Sequence, residues 1–143
     1  MGVLLCLSIL IVAGCESATV GTARRYDGGK LEGMKSAYVI IPTSESSGNT
    51  HGIEQAIKHA LAIHGVSATT GPRDRMPKKL DFYVEYLDRW QLGRLYTLDI
   101  HFVRSADGEM LARCGFENPF SAPIHPDPQK MAEGMLDRIY QVK

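Results

Sequence analysis

The chain has 143 residues, carries sixteen Lys and Arg against sixteen Asp and Glu, and is 44% hydrophobic. That length suits one domain. A net charge of zero argues against the strong basic footprint of a nucleic-acid binder and against a polybasic membrane-binding surface.

Met1 to Gly14 reads as a leader rather than part of the fold. Val3 to Ala13 is apolar apart from Ser8. The run is too short for a bilayer core, which takes about 20 residues, but has the length of a signal-peptide central region. It ends in Val12-Ala13-Gly14-Cys15. Read structurally instead, the same run would be a buried strand or helix with an incidental cysteine. The four residues resemble the lipobox of bacterial lipoproteins: an aliphatic residue, two small ones, then cysteine. That resemblance implies cleavage after Gly14, a diacylglyceryl thioether on Cys15 and attachment to the membrane through lipid. No Lys or Arg precedes Cys15, a departure from the usual signal peptide. Glu16 stands where an aspartate would favour inner-membrane retention in enteric lipoproteins, so the resemblance implies the outer membrane, facing the periplasm.

Residues 15–35 are expected to form the lipidated terminus and a flexible tether. They are rich in Ser, Thr, Gly and charge, with no sustained periodicity. Such a tether gives a reach of about 25 Å. Gly28-Gly29-Lys30 is not a phosphate loop, because Leu31 stands where Ser or Thr is needed.

The folded domain is expected over 36–143. Ser36 to Ile41 predicts a strand near the sheet centre, stopped by Pro42. A helix is predicted from about His51 to His64, with Ile53, Ala56, Ile57, Ala60, Leu61 and His64 on one face. Asn49 or Thr50 would cap its start and Gly65 its end. Ser67 to Thr70 predicts a short strand. Gly71 to Lys79 is a basic loop.

Three antiparallel strands follow. Phe82, Val84, Tyr86 and Trp90 alternate onto one face of the first, and Tyr96, Leu98, Ile100 and Phe102 onto one face of the second. Gln91-Leu92-Gly93 and Ala106-Asp107-Gly108-Glu109 supply the turns. Met110 and Leu111 compete for the core in the third strand. Four prolines between Asn118 and Pro128 predict an irregular excursion. Asp127 then caps a final helix with Pro128 at its first position, burying Met131, Met135, Ile139 and Leu136. Gly134 weakens that helix. The order predicts an α+β fold: a mixed or mostly antiparallel sheet of four to five strands with two helices on one face.

The chemistry-bearing residues form no motif of catalysis. Cys6 leaves with the leader and Cys15 is used by lipid, so Cys114 alone remains and no internal disulfide can form. Cys114 is either a small buried hydrophobe or a nucleophile with His101 or His125 as base. His59 and His64 are five apart, so one helix face does not hold both, and there is no His-Glu-x-x-His or Gly-x-Ser-x-Gly. No metal ligand set and no cofactor is expected. Asp88 shares the Phe82/Trp90 face and is expected to cap backbone or pair with an arginine such as Arg94. Arg73, Arg75, Lys78 and Lys79 are the candidate contacts for phosphate, lipid head groups or an anionic polymer.

Tyr86, Asp88 and Trp90 make a Tyr-x-Asp-x-Trp pattern at the end of a strand. Here the chain resembles small, functionally unassigned bacterial lipoproteins that share an early strand and helix. The resemblance implies no enzyme activity. The expected function is that of a lipid-anchored envelope protein with a non-catalytic binding or structural role toward an envelope protein or polymer. The alternative is a small envelope enzyme using Cys114 or a histidine–carboxylate site.

Overall fold

The computed structural model describes residues 20–26, 29–43, 52–117 and 127–142. Six strands form one sheet: β1 Val20–Arg25, β2 Ser36–Ile40, β3 Ser67–Gly71, β4 Phe82–Gln91, β5 Arg94–Arg104 and β6 Met110–Glu117. Helix α1 spans Ile53–Ile63 and α2 spans Pro128–Gln141. The strand order is β1-β6-β5-β4-β2-β3. Hairpins join β4 to β5 and β5 to β6 antiparallel, whereas β2 lies parallel to both β3 and β4. The α+β class is as expected and the sheet is mixed, but it has six strands rather than four to five.

The extra strand is β1. It corrects the tether expected over 15–35, because Ala23, Arg24 and Arg25 pair with Cys114, Arg113 and Ala112 of β6. Leu31 is fully buried within the core, so the domain begins well before Ala37. Residues 15–19 lie outside the described residues, as does the leader.

One layer of apolar side chains holds the fold together. Ala37, Val39, Phe82, Val84, Tyr86, Leu98, Ile100, Phe102, Ala112, Cys114 and Phe116 occupy one sheet face and pack with the apolar faces of both helices. Phe82 and Phe102 meet at 5.8 Å between ring centres in a tilted pair, an arrangement worth about 0.5–1.5 kcal/mol beyond area burial. Val103, Tyr38 and Ile40 are buried on the opposite face or its margin, where the Tyr38 hydroxyl donates to the Pro72 carbonyl at 3.0 Å.

Two irregularities change the expected facing. The β4–β5 pairing shifts between Arg89 and Trp90, so Trp90 opposes Leu95 while Arg89 opposes Thr97. Tyr96 is the extra residue, and Leu95 takes the buried place expected for it. The β5–β6 pairing shifts between Phe102 and Val103. Leu111 is the extra residue there, and it wins the core over Met110.

The helix ends follow local chemistry. Gly52, in the left-handed region at φ 76°, precedes α1, and no side chain caps it. Asn49 and Thr50, the expected caps, lie outside the described residues. At the other end Gly65 has φ 76°, its N–H reaches the Ala62 carbonyl, and the Val66 N–H reaches the Leu61 carbonyl. That is a Schellman termination, and Val66 is buried against the core beside it. Asp127 caps α2 as expected, accepting from the Gln129 N–H at 2.9 Å. The proline-rich stretch 118–126 lies outside the described residues.

Candidate functional site

The Tyr-x-Asp-x-Trp pattern leads into the end of the β4–β5 hairpin that outruns its neighbours, with Trp90 past the last β5–β6 pair. Strand β2 pairs with β4 only over Phe82 to Val84, and β6 reaches β5 only as far as Thr97. Beyond those points, among the described residues, the hairpin is a two-stranded ribbon. Tyr86 is buried before the ribbon begins, opposite Ile100, and donates its hydroxyl to Glu54 of α1 at 3.3 Å. Burial, then the nearby Glu54 and Asp88 carboxylates, push the Tyr86 phenol far above its usual range. It therefore stays a neutral donor. Asp88 accepts from the Trp90 indole N–H at 2.6 Å. The Trp90 indole is a partner other than the backbone group or arginine expected for Asp88. Glu54 is the buried charged side chain of the described core, and its counterpart was not legible from sequence. Only the approach of α1 to β4 brings it to Tyr86.

The ribbon ends in Leu92-Gly93. Both residues have positive φ, 51° and 74°, and Gln91 pairs with Arg94 across them. This is a two-residue primed turn, whose first position favours Asn, Asp or Gly. Leucine stands there instead, 92% exposed, with Leu87 also exposed on the outer face beside Arg89.

The two helices face each other through histidine–carboxylate pairs. His59 lies 3.6 Å from Glu133 and His64 lies 2.9 Å from Asp137. The pairs advance together, so α1 and α2 run parallel. His64 also stacks on Tyr140, with ring centres 4.1 Å apart. His59, still exposed, and the partly buried His64 are both placed beside carboxylates of α2. The signal available in sequence was the i, i+4 spacing of Glu133 and Asp137 on α2. A groove of about 550 Å³ opens between the helix starts, lined by Gln55, Lys58, His59, Asp127 and Gln129 among others. No group of three or more His, Cys, Asp or Glu fit to hold a metal occurs among the described residues.

Cys114 and His101 do not meet. Cys114 is fully buried on the core face opposite Ile100, and burial, aided by Asp99, pushes its thiol up to about 12. His101 follows Ile100 along the strand and lies on the other face. Burial and then Arg113 push its pKa down, with Asp99 opposing. The thiol-enzyme arrangement expected as an alternative therefore loses this base. His125 lies outside the described residues.

The basic loop remains at the surface. Arg73 to Arg75 forms a short 3-10 helix. Arg73 pairs with Glu85 and lies over the Tyr83 ring at 5.6 Å, so its charge is engaged within the fold. Arg75, Lys78 and Lys79 are exposed.

No protein-family model matches the sequence, and no curated protein matches it. Solved structures do share the fold. A PelC dodecamer from Paraburkholderia phytofirmans, in a variant with one leucine replaced by methionine, is 15% identical, with a TM-score of 0.56 over 83% of this chain and 94% of that one. A second PelC dodecamer from that organism gives 16% identity and a TM-score of 0.54 over the same shares. A PDZ domain protein from Parabacteroides distasonis gives 10% identity and a TM-score of 0.53, over 89% of this chain and 38% of the other. These likenesses define a shared sheet-and-helix architecture.

Proposed function

We propose that this chain is a lipid-anchored protein of the bacterial cell envelope, held in the outer membrane and facing the periplasm, with a non-catalytic binding or structural role. The observation that carries the proposal is Val12-Ala13-Gly14-Cys15, which puts a thiol at the point where a signal peptide would be removed. Two acyl chains at about 0.8 kcal/mol per buried methylene hold a protein firmly on a bilayer, where one does so only marginally. The partner is an envelope protein or polymer rather than nucleic acid, consistent with a net charge of zero. The similar PelC chains are dodecamers, which makes further copies of this chain candidate partners as well. Arg75, Lys78 and Lys79 are the cations proposed for an anionic group, with Arg73 also exposed beside them but paired with Glu85.

The test is expression in a bacterium, fractionation and an intact mass. A membrane-bound product lacking residues 1–14 and carrying acyl mass at Cys15 is expected, and Cys15→Ser should abolish both changes. A soluble product that keeps Met1 overturns the proposal.

A further inference from the structure

The register of the sheet fixes which end carries the start of β1. Val20 pairs with Phe116, Phe116 with Leu98, and Leu98 with Asp88. The start of β1 therefore lies level with Asp88, on the half of the sheet from which the β4–β5 ribbon projects. Strand β1 runs away from that end, so Val20, the described residue nearest Cys15 in sequence, stands on the ribbon side. Leu92 lies four positions past Asp88, about 13 Å further along the ribbon. Cys15 lies five positions before Val20, a span of at most about 17 Å. The turn and the acylated cysteine can thus reach one plane.

The composition of the turn suits that plane. A leucine in the left-handed region costs about 1–2 kcal/mol of backbone energy relative to the ordinary regions. Asparagine or glycine would remove most of that cost, and either would remove the 92% exposed apolar side chain. An exposed leucine alone is ordinary, but one held in a strained backbone conformation that the fold does not need points to a role in contact. The contact presented is a convex tip with Leu92 at its apex and exposed Arg89 behind it. A tip of this shape enters a soft apolar phase, and the arginine remains at head-group level.

We infer that Leu92, at the tip of the β4–β5 hairpin, is a second membrane contact that inserts into the same bilayer leaflet as the lipid on Cys15 and holds the domain upright on it. The inference rests on the lipoprotein reading. It replaces a loosely tethered domain with one docked at two points.

The experiment uses the acylated protein in vesicles of phosphatidylethanolamine and phosphatidylglycerol. An environment-sensitive fluorophore is placed on Leu92→Cys and, separately, on Ala106→Cys in the exposed turn at the other end of the sheet. Buried Cys114 leaves the introduced thiol as the labelling site. The probe at 92 should shift to the blue and be quenched by brominated acyl chains, and the probe at 106 should do neither. Leu92→Asn relieves the backbone, so it keeps the fold while raising the rate of transfer between vesicles roughly tenfold, the factor for one buried leucine. Acylated protein whose two probes respond alike overturns this inference alone. So does a probe at 92 that responds only when further protein is added, which assigns the tip to a protein partner. A chain with no acyl mass at Cys15 overturns the anchor and the docking together.

Discussion

Arg25→Ala should destabilise the domain by about 3 kcal/mol, because this side chain ties the first strand to the last helix. Its Nε donates to the Ile139 carbonyl at 2.8 Å and its Nη2 to the Tyr140 carbonyl at 3.2 Å. These are two of the last four carbonyls of α2, which no later turn of helix can satisfy. The Val142 N–H satisfies Arg138, so Arg25 completes the termination. Losing hydrogen bonds to a charged group costs about 1.5–3 kcal/mol, and losing a cation at a helix C-terminus costs about 0.3–1. The two losses share one guanidinium and do not simply add. The Glu32 pair contributes less, since Glu32 is 66% exposed, and exposed pairs are worth about 0–1 kcal/mol. Arg25→Lys should recover part of the loss, because an ammonium keeps the charge but not the fork. Glu32→Gln should cost under about 1 kcal/mol. Urea unfolding followed by circular dichroism measures all three, with an unchanged m-value showing that the unfolded state is the same. If Arg25→Ala changed stability by under about 0.5 kcal/mol, the size of an ordinary surface change, β1 and its arginine would not belong to the folded unit.

Glycine substitutions should act in opposite senses at two places. Gly134→Ala should stabilise by up to about 1 kcal/mol, since a Cβ there meets nothing within 4 Å in the middle of α2. Gly29→Ala should unfold or severely destabilise the chain, because its Cβ would sit 2.2 Å from the Leu111 carbonyl oxygen; thermal melts of the two variants should move in opposite directions. Asp81→Asn should lower stability at neutral pH, with the gap closing in acid. The Lys35 and Ser36 N–H groups hold the Asp81 carboxyl below its usual pKa. A lowered carboxylate pKa contributes stability that is present above the unfolded pKa and is lost as pH falls through the folded one. Unfolding curves across that acid range check it, and a gap independent of pH would refute it.

Local periodicity made most of the architecture legible. The alternation of Phe82, Val84 and Tyr86, the helical spacing of Ile53, Ala56, Ile57 and Ala60, and Asp127-Pro128 each depend on neighbours within a few residues, and each is found as expected. What was missed depends on distant partners. Strand β1 has the composition of a loop, with Gly21, Thr22 and Ala23, and becomes a strand only because β6 offers it an edge. Tyr96 and Leu95 exchanged places because a one-residue shift in pairing reverses side-chain facing, and nothing within β5 alone specifies that shift. The histidine–carboxylate pairs required knowing that α1 and α2 lie side by side and parallel. Glu54 looks like an ordinary first-turn acid until Tyr86 is brought beneath it.

The two ends of the sheet are built for different work. At one end the connections are closed by short-range hydrogen bonds. Arg104 pairs with Asp107 and Glu109 across the β5–β6 turn, Asp81 clips Lys35 and Ser36, and the Schellman turn seals α1 beside β3. The apolar side chains exposed in these turns are few. The other end carries the starts of β1 and of both helices, the groove between those starts, and a hairpin that outruns both its sheet neighbours. There the turn position that asparagine would fill most comfortably holds an exposed leucine. The asymmetry follows if one end meets a surface, and the register puts the residues nearest Cys15 at that same end.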